Sequence, residues 1–144
     1  MNTRPGTVVL DDEAVQALAD VHHPKHPAAL AVVEVTNQRR TRSERVRIVV
    51  PAAVRIEAGW DRTEPAAAEL SRVSRAIDAN LDGAAANRGV QLRRLVPEAS
   101  VVDVTVAQVA EAADRQPVTV VTSDGDDLTR LAGYLDVPVI VATI

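Results

Sequence analysis

An α/β fold, with a mostly parallel central sheet covered by helices on both faces, is the class this sequence predicts. Three observations carry that reading. Short runs of β-branched residues alternate with longer segments of helical spacing. The runs are continuously apolar, as strands buried on both faces are. Two of them, Thr7-Val8-Val9-Leu10 and Val120-Val121-Thr122, lead into acids, Asp11 and Asp124, which places carboxylates where ligand crevices form in such sheets.

Taken in order, Thr7–Leu10 is the first strand. Asp12–Asp20 follows with Val15, Leu18 and Ala19 on one helical face and Asp12 available as N-cap. His22-His23-Pro24-Lys25-His26-Pro27 is a loop, because two prolines within four residues exclude a regular element. A helix starting near Pro27 buries Leu30 and Val33 and ends in an arginine run. Arg47–Val50 is the second strand, and Pro51 opens a helix carrying Glu57. After a break from Gly59 to Pro65, Pro65–Ala76 is helical by the spacing of Leu70, Val73 and Ala76. An edge strand around Ala76–Leu81 and helices over Ala84–Leu95 and Val101–Ala113 come next. The last third alternates strand Val118–Thr122, helix Asp126–Leu135 and strand Val137–Ala142.

With 144 residues and neither repeat nor linker, the chain reads as a single domain over 1–144. Absence of cysteine excludes disulfides and thiolate metal sites. The opening residues show no signal-peptide pattern, and no apolar run approaches the ~18 residues of a membrane helix, so the expectation is a soluble cytoplasmic protein with no membrane partner. An aromatic content of 1% excludes a base-stacking platform for single strands. Trp60, the sole tryptophan, is expected to pack an edge. The formal charge of −4 gives no general affinity for nucleic acid, yet Arg39, Arg40, Arg42, Arg45 and Arg47 crowd one stretch. Arg39, Arg40 and Arg42 are candidates for RNA phosphates; the competing reading is a solvated helix end whose cations complement the dipole.

Four acids carry the chemical argument: Asp11, Glu57, Asp103 and Asp124. Asp12, Asp126 and Asp127 are better placed as helix caps, which leaves Asp11 and Asp124 free. Taken singly, Glu57 and Asp103 sit on solvated helix faces; as members of a set of four they belong to a site. Carboxylates that converge repel one another and stay ionised only with a cation among them. An oxygen-only donor set suits Mg²⁺ or Mn²⁺, and cations so held polarise phosphoryl oxygens and activate water.

Four segments in order, Val8-Val9-Leu10-Asp11, Val49-Val50-Pro51-Ala52-Ala53-Val54 with Glu57, Val101-Val102-Asp103-Val104-Thr105-Val106-Ala107, and Val120-Val121-Thr122-Ser123-Asp124-Gly125-Asp126-Asp127-Leu128, resemble the PIN-domain proteins. In particular they resemble the small VapC-type ribonuclease toxins of bacterial toxin–antitoxin pairs. The resemblance spans nearly the whole chain, and the last segment is its most specific part. It implies a three-layer PIN-like fold, a homodimer, a small antitoxin partner, Mg²⁺ or Mn²⁺ at the acidic cluster and endonucleolytic cleavage of an RNA substrate. On matching positions, Asp11, Glu57, Asp103 and Asp124 would be the catalytic, metal-binding acids. Ser123 or Thr122 would support the site, and Asp127 would be a peripheral acid or the cap of the next helix. Two departures stand out: Asp12 occupies a position where the family more often has a small or hydroxyl residue, and Asp61 to Leu95 carry no diagnostic match.

Three other readings compete. A PIN-fold binding module without catalysis would need none of the four acids. A receiver-like signalling domain would share the acidic start Asp11-Asp12-Glu13 but is expected to place a lysine after a late strand, whereas Lys25, the only lysine, lies in the Pro/His loop. His22, His23 and His26 suit Zn²⁺ or Ni²⁺ as residue types, with no further ligand spaced to complete a tetrahedral set.

Overall fold

β-branched residues restrict the backbone and pack well on a pleated surface, and they build the centre of this protein. The computed structural model describes residues 6–37 and 46–144. Its strands are β1 (Thr7–Leu10), β2 (Arg47–Pro51), β3 (Ile77–Ala79), β4 (Val118–Thr122) and β5 (Val139–Thr143). They form one five-stranded sheet in the order β3-β2-β1-β4-β5, with every neighbouring pair parallel. The helices among the described residues are α1 (Asp12–Ala19), α2 (His26–Asn37), α3 (Ala52–Ala58), α4 (Pro65–Ser74), α5 (Gly83–Leu95), α6 (Val101–Glu111) and α7 (Asp126–Ala132). The expected α/β class and parallel sheet are what the structure shows. The arginines Arg39, Arg40 and Arg42 lie outside the described residues.

The core sits on the central strands. Val9, Val50, Val118 and Val120 are inaccessible or nearly so, and Val15 of α1, Val54 of α3, Leu92 of α5, Val106 of α6 and Leu131 of α7 close over them. Fully burying one such side chain contributes roughly 1.5–3 kcal/mol, so this cluster holds the layers together. α6 packs on β1, β2 and β4. Across the far side of the core, Arg88 of α5 grips Glu111 at the end of α6 through two hydrogen bonds of 2.7 and 2.9 Å, and Glu111 also accepts from the Asp136 backbone N–H.

Element ends differ from expectation for local reasons. β1 passes into α1 through a single residue, so Asp11, not Asp12, is the N-cap: it is extended (φ −84°, ψ 179°) and its Oδ1 accepts from Ala14 N at 2.9 Å. Neither Asp126 nor Asp127 caps α7. Gly125 takes that position without a side-chain bond, and Asp126 and Asp127 fall in the first turn, where they complement the dipole. α4 starts at Pro65 as expected but stops at Ser74, because Arg75 adopts a left-handed conformation with φ 57°. β5 begins at Val139, after Pro138, which has no N–H to give to a ladder.

Strand order positions the site. From β1 the chain winds outward through β2 to β3, then returns to the other side of β1 with β4. The order in which strands are added therefore reverses between β1 and β4, and a crevice opens at the C-terminal ends of strands at such a point. Asp11 and Thr122 stand there side by side: Leu10 is in register with Val121, and Asp11 N donates to Val121 O at 3.1 Å.

Candidate functional site

Asp11 is the most unusual side chain of the molecule, a carboxyl with only 3% of its surface exposed. Burial pushes it up to about 6 from an ordinary 3.8, and the negative charges of Asp12 and Glu13 push the same way. Hydrogen bonds from the Thr122 hydroxyl and from Ala14 N oppose the shift without cancelling it. The dominance of burial follows from the fold: a strand at the sheet centre delivers the residue into the core before α1 turns it outward.

Thr122, at the end of β4, is buried and organises the neighbouring turn. Its Oγ1 accepts from Asp124 N at 3.1 Å, and its single proton is shared between Asp124 O, at 2.9 Å, and the Asp11 carboxylate. One hydroxyl thus links the first and last acids of the expected set. Asp124 itself is exposed, and its Oδ1 accepts from Asp126 N at 3.3 Å. Gly125 fits closely in this turn: a Cβ there would approach Thr143 Oγ1 and Val141 Cγ1 of β5, each at 3.2 Å. The half-buried Ser123 contributes its carbonyl, which accepts from Lys25 Nζ at 3.5 Å.

Asp103 enters from α6. It is half-buried and forms a capping box with Ser100: Asp103 N donates to Ser100 Oγ at 3.0 Å, and Ser100 N donates to Asp103 Oδ2 at 3.4 Å. Burial raises its carboxyl above the usual range, the Ser100 bonds lower it, and the charges of Asp127 and Asp12 raise it further. The charges of Asp127 on α7 and Asp12 on α1 are thus near enough to be felt at Asp103 on α6. Asp127 also pairs with Arg130, which reaches Glu98 at 3.5 Å.

Glu57 stands apart. It is exposed on α3, and no part of the shifts at Asp11 or Asp103 comes from it. Asp12 and Glu13, by contrast, are electrostatic members of the cluster that sequence reasoning set aside as a cap and its neighbour. The signal for them was their adjacency to Asp11 at a strand end, where the first turn of a helix cannot carry them far. The Ser100–Asp103 box was likewise legible as a hydroxyl three residues before an acid.

The donor types suit a hard divalent cation: they are oxygen-only, and the buried Asp11 carboxyl is one whose ionised form a cation would favour. Among the described residues, no three His, Cys, Asp or Glu side chains are drawn close enough to hold an ion jointly. The histidines serve the backbone. His26 Nδ1 bonds Ala17 O at 2.9 Å and His23 Nδ1 accepts from Lys25 N at 3.0 Å. Trp60 is buried, donates to Ala67 O at 3.3 Å and lies under the Arg62 guanidinium, 5.2 Å from ring centroid to cation.

No family model and no curated protein matches the sequence. Solved structures match the fold. The VapC20 toxin of Mycobacterium tuberculosis, which cleaves the sarcin–ricin loop, superposes with a TM-score of 0.61 at 17% identity, over 91% of this chain and 98% of that one. A chain of the VapBC2 complex of Rickettsia felis, bound to a DNA fragment from its promoter, superposes with a TM-score of 0.58 at 13% identity, over 96% and 98%. The fold is therefore PIN-like, of the kind found in VapC toxins. Among the described residues no helix is long and apolar enough to cross a membrane.

Proposed function

We propose that this chain is a metal-dependent endoribonuclease of the VapC kind, hydrolysing phosphodiester bonds of RNA in the cytoplasm. One observation carries the reading: a carboxyl buried at the switch point of a PIN-like sheet and pushed up to about 6 by burial and by neighbouring acids. A group so disfavoured as an anion gains most from a cation, and perturbed carboxyls in such crevices mark functional sites. Asp11, Asp103 and Asp124 would hold Mg²⁺ or Mn²⁺ after drawing closer together than they stand here, with Glu57 joining from α3 by rotation of an exposed side chain. When bound, the ion supplies charge on the phosphoryl group and a more acidic attacking water. The chain's own contribution is placement. Thr122 fixes the Asp124 turn against Asp11, and the Ser100 box fixes the rotamer of Asp103. Asp127 stands at the rim, tied to Arg130.

A homodimer and a small antitoxin partner belong to the same proposal, supported by the likeness to a VapBC complex. Purified protein incubated with a mixed RNA pool should cut in Mn²⁺ and not in EDTA, and Asp124→Asn should not cut in either. Cleavage by Asp124→Asn at the wild-type rate would refute the assignment. A second reading, a PIN-fold module that binds RNA without cutting it, draws on the exposed and separate Glu57. Binding without cleavage in Mn²⁺ would select it.

A further inference from the structure

The Pro/His loop between α1 and α2 has no part in the acidic site, yet it is built with care. His22 N donates to Asp20 Oδ1 at 2.9 Å, His23 N to Asp20 O at 3.0 Å and His26 N to His23 O at 2.9 Å. Lys25 N donates to His23 Nδ1 at 3.0 Å, and His26 Nδ1 must carry a proton, because its partner, Ala17 O, can only accept. These bonds fix the backbone on both sides of Lys25, the only lysine in the chain. Its half-buried side chain crosses to the Ser123 carbonyl, 98 residues away and immediately before Asp124.

The position of this cation matters more than its lack of an ion pair. Arg55, Arg62, Arg72, Arg88 and Arg130 are paired with carboxylates, whereas Arg47, Arg75, Arg93 and Arg94, like Lys25, make no ion pair among the described residues. Lys25 differs from those four in its place, against the residue that precedes Asp124. Lys25 makes no ion pair among the described residues, although acids crowd the same sheet edge. An ammonium has three donors, and one of them is spent on a neutral carbonyl. A positive charge with two donors to spare, at the edge of an acidic crevice, is suited to a phosphate. It also answers a physical difficulty, since a polyanion approaching this cluster meets repulsion that some cation of the chain must offset.

We propose that Lys25 is the anchor for a backbone phosphate of single-stranded RNA, with the His/Pro loop as its mount. The inference rests on the ribonuclease reading and deepens it. Lys25 is a substrate-binding residue beside the reacting centre, set by α1 and α2 and not by the PIN-like acidic segments.

The test is fluorescence anisotropy of a short fluorescein-labelled single-stranded RNA, titrated with protein in EDTA over a series of KCl concentrations. The wild type, Lys25→Gln and Lys25→Arg are compared, with thermal melts of each. Lys25→Gln should weaken binding about fivefold to tenfold at low salt and lower the log–log salt slope by about 0.7, the share of one phosphate on a single strand. Lys25→Arg should restore both, and all three proteins should melt alike. Equal affinity and an equal slope in Lys25→Gln overturn the anchor. So does a wild type that binds no RNA, or a lowered melting temperature with an unchanged slope, which would make the Ser123 contact a structural tie. A wild type that binds RNA through Lys25 but never cuts it in Mn²⁺ sinks the nuclease reading and leaves the anchor standing.

Discussion

Replacing Asp11 by Asn separates two properties that the native residue combines. The cap survives, because Asn Oδ1 can accept from Ala14 N as Asp does. The buried negative charge does not. Burial takes the carboxyl from 3.8 to about 6, and at about 1.4 kcal/mol per tenfold change in proton affinity its ionisation costs the folded state up to about 3 kcal/mol. The sign follows from the direction of the shift. Below pH 4 the carboxyl is protonated in folded and unfolded chains alike and no penalty exists. Between about pH 4 and 6 the unfolded chain gives up a proton that the folded chain keeps, so stability falls as pH rises. Above 6 the whole penalty applies. Asp11→Asn should therefore match the wild type near pH 3.5 and exceed it by up to about 3 kcal/mol at pH 8, near 8 °C in melting temperature. Urea unfolding in EDTA at the two pH values measures the difference, and RNA cleavage in Mn²⁺ should be lost in parallel. A stability difference that is the same at both pH values would show that ionised Asp11 carries no burial penalty. Wild-type cleavage by the variant would remove it from the site.

Other outcomes follow from the same geometry. Millimolar Mn²⁺ should raise the melting temperature of the wild type relative to EDTA by mass action, and Asp11→Asn should lose most of that rise; calorimetry showing no Mn²⁺ binding would exclude the site. Ser100→Ala removes half of a capping box and should cost about 1 kcal/mol in urea unfolding. It should also depress cleavage more than that loss of stability explains, since Asp103 loses its lock; activity scaled only by folded fraction would contradict this. Replacing Arg39, Arg40 and Arg42 with Gln should weaken RNA binding and flatten its salt dependence at unchanged fold, and an unchanged slope would return the run to a solvated helix end.

What the sequence revealed, and what it concealed, follows the range of the interactions involved. β1 and β4 were legible to the residue because β-branched runs are terminated by acids, both local signals. The cap of α1 was misplaced by one position because a strand that enters a helix through a single residue leaves no loop to mark the boundary. The ends of α7 and β5 moved inward around Gly133 and Pro138, where chain geometry overrides apolar periodicity. Asp103 and Asp127 were placed in the right elements, but their shared electrostatics depends on α6 and α7 lying side by side, which no spacing states. Glu57 shows the reverse: its position matches a PIN-like segment, and its side chain is turned to solvent. The Lys25–Ser123 contact joins residues 98 apart and lies beyond any local reading.

The edge strand β5 has a reach that its peripheral position conceals. Val141 and Thr143 line the space beside Gly125 where a Cβ would go, and Ile144 N donates to Thr122 O at 2.9 Å. Edge strands belong to the part of a fold that opens first, with one side unpaired and, here, Ile140 59% exposed. When β5 frays, the turn bearing Asp124 loses its backing and the Thr122 carbonyl loses its partner, while Asp11 and the core strands stay in place. Amide exchange should then find the Asp124 turn sharing the protection of β5, well below that of β1. The acidic crevice thus has one rigid wall and one wall that breathes with the sheet's margin, and whatever clamps β5 from outside will also set how long the crevice stays assembled.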